Sequence, residues 1–160
     1  MSATPATAAL DAAGVAYTVH PYAHDPGNRH FGEEAAAALG VDPLRIFKTL
    51  VVDSSTGPRP ELAVAVVPVA AHLDLKAMAA ALGVKKVQLA DPGVAARSSG
   101  YIVGGISPLG QKTALPTIIE ETAQLFDTVF VSAGRRGLQV ELSPAELARL
   151  TRASFADIAG

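Results

Sequence analysis

Residues 48–69 read KTLVVDSSTGPRPELAVAVVPV. Two apolar, β-branched runs (48–53 and 61–69) flank SSTGPRP, where Gly57 and two prolines interrupt any regular element, so the stretch predicts a β-hairpin. A second hairpin is expected in TVFVSAGRRGLQVELS (128–143), whose strand-like halves meet at a turn bounded by Gly134 and Gly137. YTVHPY (17–22) and KKVQLA (85–90) add extended runs. Helices are predicted between these strands. One runs from Thr4-Pro5 to Gly14, one covers 31–40, one covers 73–83 with Asp74 as a cap, one opens at Asp91-Pro92 and one at Ser143-Pro144. Because the clear strand pairs are hairpins, the expected fold class is α+β: a mostly antiparallel mixed sheet with helices around it, and not a doubly wound parallel sheet. No repeat or linker divides the chain, so one domain spanning 1–160 is expected.

Composition narrows the function. A chain of 160 residues buries roughly two thirds of the surface its unfolded form exposes, enough for one core. Thirteen basic against fifteen acidic residues give a net charge of −2, which argues against strongly electrostatic nucleic-acid or DNA binding while leaving room for a local basic patch. With no cysteine, disulfides, thiolate zinc sites and a cysteine nucleophile of the protein's own are excluded. There is neither a signal-like leader nor an 18-residue apolar run, so the sequence predicts a soluble cytoplasmic protein without membrane contact.

The loop GYIVGGISPLGQK (100–112) is the most distinctive stretch, and it is read as following an apolar strand. As a nucleophile elbow it fails: Leu109 stands where a second glycine belongs, and Pro108 has no N–H to offer an oxyanion. As a phosphate loop it fails too, since Gln111 shifts Lys112-Thr113 by one residue. A loop whose small residues admit a ligand close to the backbone remains, beside the plain alternative of a tight turn. Lys48 interrupts the apolar context of RIFKTLVV; it either projects into a cleft, where it could hold an anionic or carbonyl oxygen, or is solvated on a half-buried strand. His20 and His24 are four apart but not on a helix, so no metal site is expected; Asp25 and the Glu33-Glu34 pair could hold a hard cation, although acids in a first helical turn have a reason of their own. Lys85, Lys86, Lys112, Arg135 and Arg136 are candidates for a phosphate-binding rim, or simply solvated surface charge.

Taken together, Tyr22 with His24-Asp25-Pro26, His30-Phe31-Gly32, Phe47-Lys48-Thr49-Leu50, Gly83 to Val87, GYIVGGISPLGQK and SAGRRGL (132–138) resemble the YbaK/EbsC family of Cys-tRNA(Pro) and related deacylases, which is similar to the editing domain of bacterial prolyl-tRNA synthetases. FKTL and GGISPLGQK are the most specific parts. The resemblance implies that family's fold, with the sheet curved toward a barrel, and hydrolysis of a mischarged aminoacyl ester at the 3′ end of tRNA(Pro), without a cofactor. It gives Lys48 the catalytic role. It sets Gly104, Gly105, Ile106, Ser107, Pro108, Leu109 and Gly110 around the aminoacyl group and terminal adenosine, with Tyr22 nearby, and leaves Lys112, Arg135 and Arg136 as tRNA contacts. It further implies that the cysteinyl thiol of the substrate attacks its own ester, which suits a chain lacking both cysteine and an activated serine. Gln139 stands where related sequences often carry an acid; Glu141, two residues on, could face the same side of the strand. An alanyl-tRNA(Pro) editor using water, and a non-catalytic module docking on tRNA or prolyl-tRNA synthetase, are the alternative readings.

Overall fold

The computed structural model describes residues 3–160; Met1 and Ser2, within the domain expected over 1–160, lie outside the described residues. Strand β2 (Phe47–Asp53) turns back as β3 (Leu62–Pro68) in the expected antiparallel hairpin, Phe47 opposite Pro68 and Asp53 opposite Leu62. The Asp53 carboxylate closes that turn by accepting the N–H groups of Ser55 and Glu61, which hold it below its ordinary range despite some desolvation. Strand β6 (Val129–Arg135) and β7 (Leu138–Leu142) form the second hairpin, and β1 (Thr18–Pro21) joins the outer side of β7 to give the three-stranded sheet β1-β7-β6.

The other sheet has five strands in the order β4-β2-β3-β5-β8. Its β4 is only Gln88–Leu89, shorter than the 85–90 expected. β5 (Thr117–Glu120), buried along its whole length, runs parallel to β3, and β8 (Ser154–Ala156) runs parallel to β5. The sequence predicts no strand over 117–120. A run buried on both sides shows no alternation, and this one follows an irregular Gly- and Pro-containing segment. The backbone ladders of the two sheets are joined by a single bridge between Ile46 and Phe130 and otherwise stay separate, so the curvature does not close into a barrel.

Helices α1 (Pro5–Ala13), α3 (Leu75–Leu82), α4 (Pro92–Ser99) and α5 (Pro144–Thr151) begin where proline or a capping side chain predicts. In α1 the Thr4 hydroxyl accepts from Thr7 N–H, while the Thr7 hydroxyl accepts from Thr4 N–H. Helix α2 (Phe31–Leu39) lacks a side-chain cap, and Glu33 and Glu34 in its first turn oppose the positive end of its dipole. The main core lies between the sheets. Phe47, Val64, Val66 and Ile119 of the large sheet meet Val129, Val131, Leu138, Val140 and Leu142 of the small one, with Leu10 and Leu147 from α1 and α5. On the far face of the large sheet, Val52, Ala65, Val67 and Ile118 pack against Met78 and Ala79 of α3. No helix among the described residues is long and apolar enough to cross a membrane.

Candidate active-site cleft

Between the bridge at Ile46–Phe130 and the short pairing with β4 at Val52–Leu89, the outer edge of β2 carries no partner strand. Val69 N–H donates to the Ile46 carbonyl on the β3 side, whereas Ala90 N–H donates to the Val51 carbonyl on the outer side. Backbone groups alternate in direction along a strand, so those of Thr49 point to the outer, open edge. A cleft of about 360 Å³ lies here, bounded by Ile46 and β2 residues 47–51, the start of α2, the segment of Leu89, Ala90, Pro92 and Ala95, the loop at Val103, Gly104 and Ile106, and Ser132 and Gln139 of the small sheet.

Lys48 lines this cleft, half-buried, and makes no ion pair or side-chain hydrogen bond among the described residues. Phe31 forms part of the wall. Gly104 lies directly against its ring, at φ 87°; a Cβ there would stand 2.7 Å from the Phe31 ring carbons. Arg136 covers Phe31, with Cζ 4.7 Å from the ring centroid, and its Nε donates to the Val103 carbonyl at 2.9 Å. The segment leading to α2 is pinned by His24 Nδ1 against Glu34 Oε1 at 2.6 Å and by Asp25 N–H donating to Glu34 Oε2. The His24 hydrogen bond is the chief cause of a Glu34 carboxyl lying below its ordinary value.

The loop 100–112 behaves differently from its reading as a strand-following clamp. It follows α4 and is irregular throughout. Val103, Gly104 and Ile106 face the cleft, whereas Gly105, Ser107, Pro108, Leu109 and Gly110 do not line it. Ser107, Pro108 and Leu109 are buried in the body of the fold. The Ser107 hydroxyl accepts from Leu109 N–H, the Gln111 side-chain amide donates to the Ser107 carbonyl, and the Tyr101 hydroxyl donates to the Leu109 carbonyl at 2.6 Å. Burial pushes the Tyr101 hydroxyl up to about 12, so it stays a donor at all physiological pH values. Gly105 sits against the backbone of Arg135, and Gly110 against that of Pro5. Tyr22 packs against a third cluster, which holds Ala35, Ile46, Val69 and Phe130, and does not line the cleft. Lys112 and Arg135 are exposed.

Glu141 shares a strand face with Gln139 but does not line the cleft. Its carboxylate accepts from the Thr128 hydroxyl, meets His20 Nε2 at 2.9 Å and pairs with Arg45 at 3.1 Å, and the Thr128 bond is the first cause of its lowered pKa. A neighbouring cavity of about 500 Å³ beside Glu141, Glu146 and Arg149 is lined by charges already paired at close range. Asp25, Glu33 and Glu34 gather no group of three or more ligating side chains, and none exists among the described residues. The sequence gives no site role to Phe31, Thr49 or Ser132, and marks Gln139 only as standing where related sequences often carry an acid. A polar residue within an apolar strand run was the available signal for Thr49.

The family model for the aminoacyl-tRNA editing domain matches residues 26–150, a span that holds the whole cleft. The chain belongs to the aminoacyl-tRNA editing domain family. This editing domain is 46% identical over 127 residues to a protein of Enterococcus faecalis proposed by name as a Cys-tRNA(Pro)/Cys-tRNA(Cys) deacylase, EbsC, covering 79% of this chain and 75% of the relative. Among solved structures, it superimposes on one described as a proposed trans-editing enzyme for prolyl tRNA synthetase with a TM-score of 0.81 and 25% identity, covering 100% of this chain and 99% of that one. It also matches a hypothetical protein with a TM-score of 0.85 and 26% identity, covering 98% and 100% of the two chains. The editing domain is thus an enzyme of the aminoacyl-tRNA deacylase class.

Proposed function

We propose that this editing domain, acting as one domain over 1–160, removes cysteine from mischarged Cys-tRNA(Pro) in the cytoplasm, alongside prolyl-tRNA synthetase. The observation that carries the reading is Lys48: a half-buried ammonium without an anionic partner, in a cleft sized for an acyl ester and its immediate surroundings. An ammonium so placed has its donors available for an oxyanion that develops only during reaction, which is where electrostatic stabilisation accelerates chemistry.

The cleft's own hydroxyls support a nucleophile on the substrate. Ser132 Oγ accepts from Gly134 N–H, and Thr49 Oγ1 has no partner; neither is hydrogen-bonded to a base that could activate it. In the proposed reaction the cysteinyl sulfur attacks the ester carbonyl. The S–C bond forms, the C–O bond to the tRNA ribose breaks, the thiol proton ends on the released ribose hydroxyl, and water later opens the cyclic thioester. The site supplies conformation and charge: apolar walls from Phe31, Val103 and Ile106 fold the acyl group, and Lys48 stabilises the oxyanion.

The test is single-turnover deacylation of Cys-, Ala- and Ser-tRNA(Pro) by wild type and Lys48→Ala. Cysteine release by wild type, a Ser ester left largely intact, and a loss of about 10²–10³-fold in Lys48→Ala are expected. Undiminished activity in the variant would remove Lys48 from the mechanism, release of alanine would favour a water-using editor, and tRNA binding without amino-acid release would leave a docking module.

A further inference from the structure

Along β7, Leu138, Val140 and Leu142 enter the main core, which turns Gln139 to the opposite face, where it stands across the strands from His20 and Ser132. Gln139 is only 7% exposed. Among the described residues just two buried side-chain oxygens lack a hydrogen-bond partner, Gln139 Oε1 and Thr49 Oγ1, and both residues line the Lys48 cleft. Buried polar atoms without partners are disfavoured, so an unpaired hydroxyl and an unpaired amide oxygen on two residues of one cleft mark a place built for a ligand group rich in donors.

An aminoacyl ester presents complementary groups. Its carbonyl oxygen only accepts and suits Lys48, which only donates. Its α-amino group is the donor that every aminoacyl ester carries close to the ester carbon, and as an ammonium it has three N–H bonds to give. We infer that Gln139 and Thr49 bind the free α-amino group of the aminoacyl ester, and that the enzyme therefore rejects esters whose amine is acylated, sparing tRNA that carries a blocked or peptidyl group. The inference rests on the cleft being the aminoacyl-ester site. Acylation leaves one amide N–H, removes the charge and adds a carbonyl whose bulk must be accommodated and whose oxygen has no hydrogen to give Gln139 Oε1. A glutamine suits this task without fixing a second full charge near Lys48.

The experiment compares Cys-tRNA with N-acetyl-Cys-tRNA, which keeps the thiol, each rate corrected for spontaneous hydrolysis of its ester. Wild type is expected to cleave the acetylated ester about a hundredfold less efficiently. Gln139→Leu should narrow that ratio to about tenfold or less, and the near-isosteric Thr49→Val should narrow it independently. Gln139→Glu, which can only accept, should keep it. A ratio is insensitive to general loss of folded protein, and melting curves check each variant. Equal cleavage of the two esters by wild type overturns the inference, as does a ratio unmoved in both Gln139→Leu and Thr49→Val. Failure to cleave Cys-tRNA itself appears in that arm alone; it overturns the proposed function and this inference with it.

Discussion

Arg136 stacks over Phe31 while its Nε holds the Val103 carbonyl, so one side chain of the β6–β7 turn ties the start of α2 to the glycine loop. Phe31 and Val103 both line the cleft, and Gly104 lies against the same ring. Arg135, next in sequence, is exposed. The RR pair that sequence reading treats as one basic patch is thus split between a structural clasp and a free charge.

Arg136→Ala is expected to lower kcat/KM about tenfold at every ionic strength, while costing only about 1 kcal/mol of global stability, the scale of a partly exposed cation–π contact. Arg135→Ala should instead weaken tRNA binding mainly at low salt and reduce the slope of log affinity against log salt by about 1. Kinetics over a salt series with both variants checks the division; matching salt profiles would refute it.

Gly104 and Gly110 both have positive φ, 87° and 64°, yet they answer to different neighbours. A Cβ on Gly104 would drive Phe31 from the cleft wall, whereas one on Gly110 would stand 2.6 Å from the Pro5 carbonyl carbon and force α1 away. Gly104→Ala should reduce kcat/KM by tenfold or more, with a stability loss of about 1–2 kcal/mol. Gly110→Ala should show the reverse weighting, a loss of about 2–4 kcal/mol in urea unfolding that dominates its phenotype. Phe31→Leu in the Gly104→Ala background, by relieving the clash, should recover part of the activity.

Both hairpins were legible because turn chemistry and β-branched runs are local signals, and so were the proline-started helices. β5 was not: Thr117 to Glu120 is buried on both faces and its parallel partners lie some fifty residues before and thirty-five after it, so nothing nearby in the chain marks its pairing. Lys48 stood out as a charge in an apolar run. Gln139 stood out only as a residue in the place of an acid; its burial beside the cleft was not legible, because a polar residue in an alternating strand reads as solvent-facing. The loop 104–110 was distinctive in sequence, but whether each residue faced cleft or core depended on the positions of Pro5, Phe31 and Arg135, all distant in sequence.

Glu120, at the end of β5, is 2% exposed, yet its carboxylate is held below its ordinary value of 4.5. Burial alone would raise it. Three backbone donors prevail: Thr122 N–H on Oε2 at 2.8 Å, with Ile158 N–H at 3.0 Å and Ala159 N–H at 3.4 Å on Oε1. The ionised form therefore pins the C-terminal segment that follows β8 to the end of β5. Since the folded pKa is depressed, this contribution is fully present above the unfolded value and disappears as pH falls through the folded one. Glu120→Gln keeps one acceptor but turns an amide N–H toward backbone donors, and should cost about 2–3 kcal/mol at pH 7. The stability gap between wild type and variant should close as pH drops below 4.5. Other depressed acids, Glu34, Asp53 and Glu141, weaken both proteins alike, so the difference between parallel urea titrations at pH 7 and below pH 4.5 isolates Glu120. A gap independent of pH would mean that the carboxylate acts by shape alone.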